Sequence, residues 1–187
     1  MADSYIPHLI LKYQGKNEYF INGDTAEMVL YGKDGFERGR ITIDSEDVKR
    51  CSKLRWCYYT GGYIGSYKHI IGGKSDTFTS LSNFLLNFNS SRKIHIDHKN
   101  RDNSDNRKVN LRVCTRQQNL MNNSQEAGET GFRGVYPSAD NSRFRARIKH
   151  DGVLHKIGSF GTAIEAAKAW NERALTLRGE FAVLNPV

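Results

Sequence analysis

The stretch IHIDHKNRDNSDNRKVNLRVCTRQQN, residues 94–119, decides how this chain is read. It opens on a short apolar–polar alternation, Ile94 to His98, that suits a strand. The next eight positions are Asn, Asp, Lys, Arg and Ser, several of them turn residues that hydrogen-bond their own backbone and end a strand. Asn110 begins a second short strand, "NLRV". Thr115 and Gln118 then form a T-x-x-Q capping box, so Asn119 falls in the first turns of a helix. The predicted order is strand, polar loop, strand, helix, which lets Asp97 and Asn119 approach although 22 positions separate them.

A solvated loop uses the same residue types, so charge and spacing have to separate a loop from a site. Lys and Arg outnumber Asp and Glu by 28 to 20, giving a net charge of +8 and a pI near 9.4, which favours a polyanionic partner. The excess is local. Residues 91–124 carry eight cations and three acids, against eleven and ten before them and nine and seven after. Arg101, Arg107, Arg112 and Arg116 flank the loop, where a cleft holding a phosphodiester needs cations.

The length of 187 residues allows one ordinary domain or two small ones, with 38% hydrophobic residues to form a core. No run approaches the roughly 18 apolar residues of a membrane span. The N-terminal "MADSYIPHLILKYQGK" lacks the basic start and cleavage site of a secretory signal, so a cytoplasmic address is expected. Cys51, Cys57 and Cys114 include no C-x2-C pair, so neither a disulfide framework nor a structural zinc is expected. Reduced, mostly buried thiols are.

Ahead of the motif, "RITID" alternates as a strand and "SEDVKRCSKLRW" reads as a short helix with Ser45 as its candidate cap. "WCYYTGGYIGSY" reads as a hairpin turning at Gly61 and Gly62, and "SLSNFLLNF" as one or two helical turns. Residues 124–131, "SQEAGETG", are the candidate linker.

Beyond the linker, "FRGVY", "RFRARIKH" and "VLHKIGSF" read as three strands, the last two joined at Asp151-Gly152. Thr162 and Glu165 make a capping box, and Ala163, Ala166, Ala167, Trp170, Ala174 and Leu177 recur at helical spacing up to a Gly179 cap. On the middle strand Phe144, Ala146 and Ile148 take the face under the helix. Arg143, Arg145, Arg147 and Lys149 take the other, a basic stripe without an acid on a sheet narrow enough to enter a major groove.

The predicted class is therefore α+β: a mixed α/β region over 1–90, the motif over 91–124, a linker over 125–130, and a separate three-stranded antiparallel sheet packed on one helix over 131–187.

With Asp-His at 97–98, an Asn twelve residues later at 110, and Asn119 nine beyond it, the motif resembles the HNH nucleases. These are also called ββα-metal or His-Me finger nucleases, and the likeness is closest to the phage-type homing endonucleases. It implies that Asp97 and Asn119 bind one divalent cation, magnesium or manganese, that His98 is the general base, and that Asn110 pins the loop that orients it. A neutral imidazole accepts a proton from water at neutral pH, and a cation stabilises the charge developing on a phosphate. His95 shares a strand face with Asp97 by period-two alternation, but it matches no motif position and is read as a bystander.

The segment "GFRGVYPSADNSRFRARIKHDGVLHKIGSFGTAIEAAKAWNERALTLRGEFAVLN" resembles the plant ethylene-response-factor (Apetala-type) DNA-binding domain. That likeness implies DNA contacts from Arg133, Arg145, Arg147, Lys149 and Lys156. Together the resemblances imply a metal-dependent DNA endonuclease, homing-type and sequence-tolerant, acting on double-stranded DNA as a monomer or weak dimer. If phage-encoded, it would work in the host cytoplasm. A DNA-binding regulator with an inactive site, and a structure-specific or RNA nuclease, are the alternative readings.

Overall fold

The computed structural model describes residues 17–32, 35–59, 62–68, 77–122 and 128–187. Gly61 of the expected hairpin turn and the first half of the expected linker lie outside the described residues. The chain divides into two compact units, Met1–Cys114 and Thr115–Val187.

The first unit begins with an antiparallel meander, β1 (Glu18–Asn22), β2 (Thr25–Tyr31) and β3 (Glu37–Asp44), paired in that order. Gly23, at φ +58°, makes the first turn where a side chain would be strained. Alternate residues of the three strands, Tyr19, Ala26, Met28, Leu30, Ile41 and Ile43, are buried in one cluster with Trp56, Leu81, Leu85 and Leu111. Inside it, Asn17 bridges two segments: its amide nitrogen donates to the carbonyls of Val29 and Trp56, and its oxygen accepts the Trp56 N–H.

A 3-10 turn, Ser45–Asp47, leads into α1 (Val48–Cys51). Ser45 was the expected cap, yet it lies inside that turn, and the residue at the cap, Asp44, makes no capping bond of its own. Its carboxylate is used at longer range, accepting the Lys108 N–H at 2.8 Å. The aromatic hairpin is present as β4 (Cys57–Tyr59) and β5 (Tyr63–Lys68), with Gly62 at φ +79°, and β6 (Thr77–Ser80) extends it to three strands. The Ser80 hydroxyl caps α2 (Leu81–Leu85) through the Asn83 N–H. The motif follows as β7 (Ile94–His98) and β8 (Leu111–Thr115), a two-stranded sheet, and then α3 (Arg116–Asn122).

In the second unit β9 (Val135–Pro137), β10 (Phe144–His150) and β11 (Val153–Phe160) form an antiparallel sheet in the order β11-β10-β9. Asp151 and Gly152 turn the β10–β11 hairpin with φ of +49° and +79°, as a primed two-residue turn requires. The helix α4 (Ala163–Arg178) carries the expected capping box, Thr162 with Glu165, and Gly179 stands at its C-cap. Its Ala166, Ala167, Trp170 and Ala174 pack on Val135, Ala146 and Ile148. The Trp170 indole donates to the Arg147 carbonyl at 3.1 Å. It approaches Gly134 so closely that a Cβ there would lie 2.1 Å from the indole nitrogen.

Candidate active site

Asp97 lies on β7 and is only 7% exposed. A buried carboxylate needs a counter-charge. Arg112, opposite on β8, supplies it, its Nε and Nη2 donating to Oδ2 at 3.0 and 2.8 Å. Arg112 was expected among the cations facing phosphate. At 9% exposure it instead holds the Asp97 side chain in place.

The polar loop between β7 and β8 is pinned to β3 by one isolated bridge. Thr42 of β3 donates to the Ser104 carbonyl at 2.8 Å and accepts the Asn106 N–H at 2.7 Å, making a parallel bridge with Asp105. Asn110 fixes the loop from inside. Its amide nitrogen donates to the Asp105 carbonyl at 2.7 Å and to Asn100 Oδ1 at 2.9 Å, and its oxygen accepts the Asn100 N–H at 3.0 Å. Asp105 closes the net by accepting from Asn100 Nδ2 and, at 2.7 Å each, from Arg107 Nε and Nη2. Arg107, another expected phosphate contact, is thus partly engaged within the loop. Arg101 is exposed, at φ +66°.

His98 ends β7, and its Nε2 lies 3.2 Å from Asn106 Oδ1. Asn106 is 2% exposed, and its Nδ2 donates to the Asn103 carbonyl at 2.8 Å, which turns its oxygen toward the ring. An oxygen there requires the ring hydrogen on Nε2, so the basic lone pair of the neutral imidazole sits on Nδ1. The sequence reading missed Asn106. Its only local sign is a Asp-Asn pair in a loop full of turn residues. His95 Nε2 is buried without a hydrogen-bond partner.

Two loop carboxyls are shifted. Bonds from the Ser104 hydroxyl and N–H hold Asp102 below the usual carboxylate range, with a smaller contribution from His98. The Arg107 guanidinium does the same for Asp105. Both folded values lie below the unfolded one, so the stability they contribute is complete above about pH 4 and is lost as pH falls through the depressed values. The protection factor of the Asn106 amide, its exchange measured relative to the intrinsic rate at each pH, should therefore fall in acid below that point, and Asp105→Asn should flatten the dependence. An unchanged acid profile in the variant would contradict this assignment.

In the second unit, Asn119 is half-buried on α3. The expected box at the helix start is reciprocal: Gln118 N–H donates to Thr115 Oγ1 at 3.2 Å, and Thr115 N–H to Gln118 Oε1 at 2.8 Å. Arg116 is exposed beside it. On the sheet, Arg145, Arg147, Lys149 and Lys156 are all exposed on the face away from α4. Arg143 is also exposed, though its guanidinium donates to Ser159. Arg133 turns onto the C-terminal chain, donating to the Val183 carbonyl at 3.2 Å while its N–H donates to Asn185.

The strand–loop–strand–helix segment coincides with a family match: residues 92–121 match the HNH endonuclease family. An HNH endonuclease segment supports a nuclease. Across most of its length the chain is also similar to an uncharacterized HNH endonuclease of Acanthamoeba polyphaga mimivirus. The two are 26% identical over 171 residues, covering 91% of this chain and 87% of that protein. No helix among the described residues is long and apolar enough to cross a membrane.

Proposed function

We propose that this chain is a divalent-metal-dependent DNA endonuclease of the homing type, hydrolysing one phosphodiester bond per catalytic motif. The observation that carries the reading is the ring of His98, held through Nε2 by the buried Asn106 and presenting a basic Nδ1 one residue from the buried carboxylate of Asp97. Nδ1 takes a proton from the attacking water, as a positioned general base does. Asn106 selects the neutral tautomer before the step and still accepts from Nε2 once Nδ1 is protonated, and Asn110 keeps the loop that carries Asn106 closed. Arg112 is a positioning residue for Asp97.

The donor types fit a hard cation. Asp97 and Asn119 would hold it with one carboxylate and one amide oxygen, leaving positions for water and phosphate, which suits magnesium or manganese. Once bound, it would supply positive charge to the scissile phosphate and the leaving 3′ oxygen. Arg101, Arg107 and Arg116 supply further positive charge for the diester, and the exposed cations of β10 and β11 grip the double-stranded DNA. The enzyme works as a monomer or weak dimer.

Relaxation of a supercoiled plasmid tests the proposal. Magnesium should support nicking, and EDTA should abolish it. Salt-dependent duplex binding without cleavage under any divalent metal would leave a DNA-binding protein and overturn the enzyme.

A further inference from the structure

We infer that the outer face of the β9–β10–β11 sheet reads the 5-methyl group of a pyrimidine in the major groove, which in unmodified DNA is thymine. This rests on the proposed duplex-binding role of the sheet and names what that face prefers.

A face that only gripped phosphates would need cations alone. This one also holds a groove of about 550 Å³ whose walls include Tyr136, Pro137 and Leu154, set among Arg145, Arg147 and Lys156. Tyr136 and Leu154 remain 40% and 49% exposed, and an apolar patch rimmed by charge marks a contact surface. The register distributes the two kinds of side chain. Leu154 lies opposite Lys149 and Tyr136 opposite Arg145, so these two apolar side chains each have a cation as cross-strand neighbour, while Lys156 stands opposite Arg147.

The cations are also held in fixed poses. The Arg147 guanidinium carbon lies 4.2 Å from the Tyr136 ring centroid, a cation–π contact that restrains the side chain. Arg145 Nη2 donates to the Pro137 carbonyl at 3.2 Å. In the major groove a fixed guanidinium suits guanine N7 and O6. Among the four unmodified bases only thymine offers a methyl for an apolar wall. The charge of the face commits it to a polyanion, and the groove commits it to a methyl-bearing base edge.

The test uses the full chain in EDTA, where cleavage is suppressed. A random duplex pool is enriched for binding, then resynthesised with deoxyuridine in place of thymidine, and both versions are titrated by fluorescence anisotropy. Uridine should weaken binding about fourfold for each methyl read, the effect of exposing one buried carbon. Leu154→Ser, a change at an exposed position, should bind both versions alike while keeping its salt dependence. Equal binding of the two pools by the unaltered chain, or discrimination that survives in Leu154→Ser, overturns the inference and leaves duplex binding intact. No binding of either pool overturns the duplex-binding role as well.

Discussion

Replacing His98 with alanine should lower the rate of DNA cleavage by about 10²–10⁴-fold, the usual contribution of a positioned general base, while duplex affinity measured in EDTA stays unchanged. The side chain is half-buried at the end of β7 and makes its described bond to Asn106, so its removal leaves the hydrophobic cluster untouched. Asn106→Ala should fall in between, about tenfold slower, because the ring remains but one hydrogen bond no longer fixes its tautomer. Single-turnover cleavage of a labelled duplex measures both. A His98→Ala protein that cuts at the unaltered rate would remove the base from the mechanism.

Asn110→Ala should behave differently, losing stability and cleavage together. Three hydrogen bonds end on this one buried amide. Truncation leaves the Asp105 carbonyl and the Asn100 N–H without these partners inside the loop, a loss on the order of 3 kcal/mol. Urea unfolding followed alongside cleavage distinguishes the two substitutions: His98→Ala, which gives up its one described hydrogen bond, lowers the midpoint less than Asn110→Ala, which gives up three. If Asn110→Ala unfolds at the unaltered midpoint, the amide is not what closes the loop.

Local chemistry was legible where a short stretch carries its own signal. The Asp151-Gly152 turn, the Thr162–Glu165 and Thr115–Gln118 boxes, and the face alternation of β10 each depend on residues within a few positions. The structure has all of them. The β1–β2 hairpin was equally local, with Gly23 at its turn, but it was not read as strands. Long-range pairings left no such trace. Asp44 spends its carboxylate on Lys108, 64 positions away, so Ser45 could not be rejected as a cap from its neighbours. Thr42 recruits the loop at Ser104 and Asn106 through backbone groups that any sequence possesses. Arg112 looks like the other arginines of a basic segment until β8 is set beside β7, where its guanidinium meets Asp97. The candidate site shows the same division. Asp97, His98 and Asn110 stand out by spacing, whereas Asn106 becomes visible only when the loop folds and its amide points at the imidazole.

The central claim is hydrolysis of a DNA phosphodiester under a divalent metal, and end-labelled duplex cleavage tests it most directly. Incubated with magnesium, the full chain should yield fragments with 5′-phosphate and 3′-hydroxyl ends, and EDTA or Asp97→Ala should leave the duplex whole. Cleavage that persists in EDTA, or a duplex left uncut with magnesium and manganese alike, would contradict it.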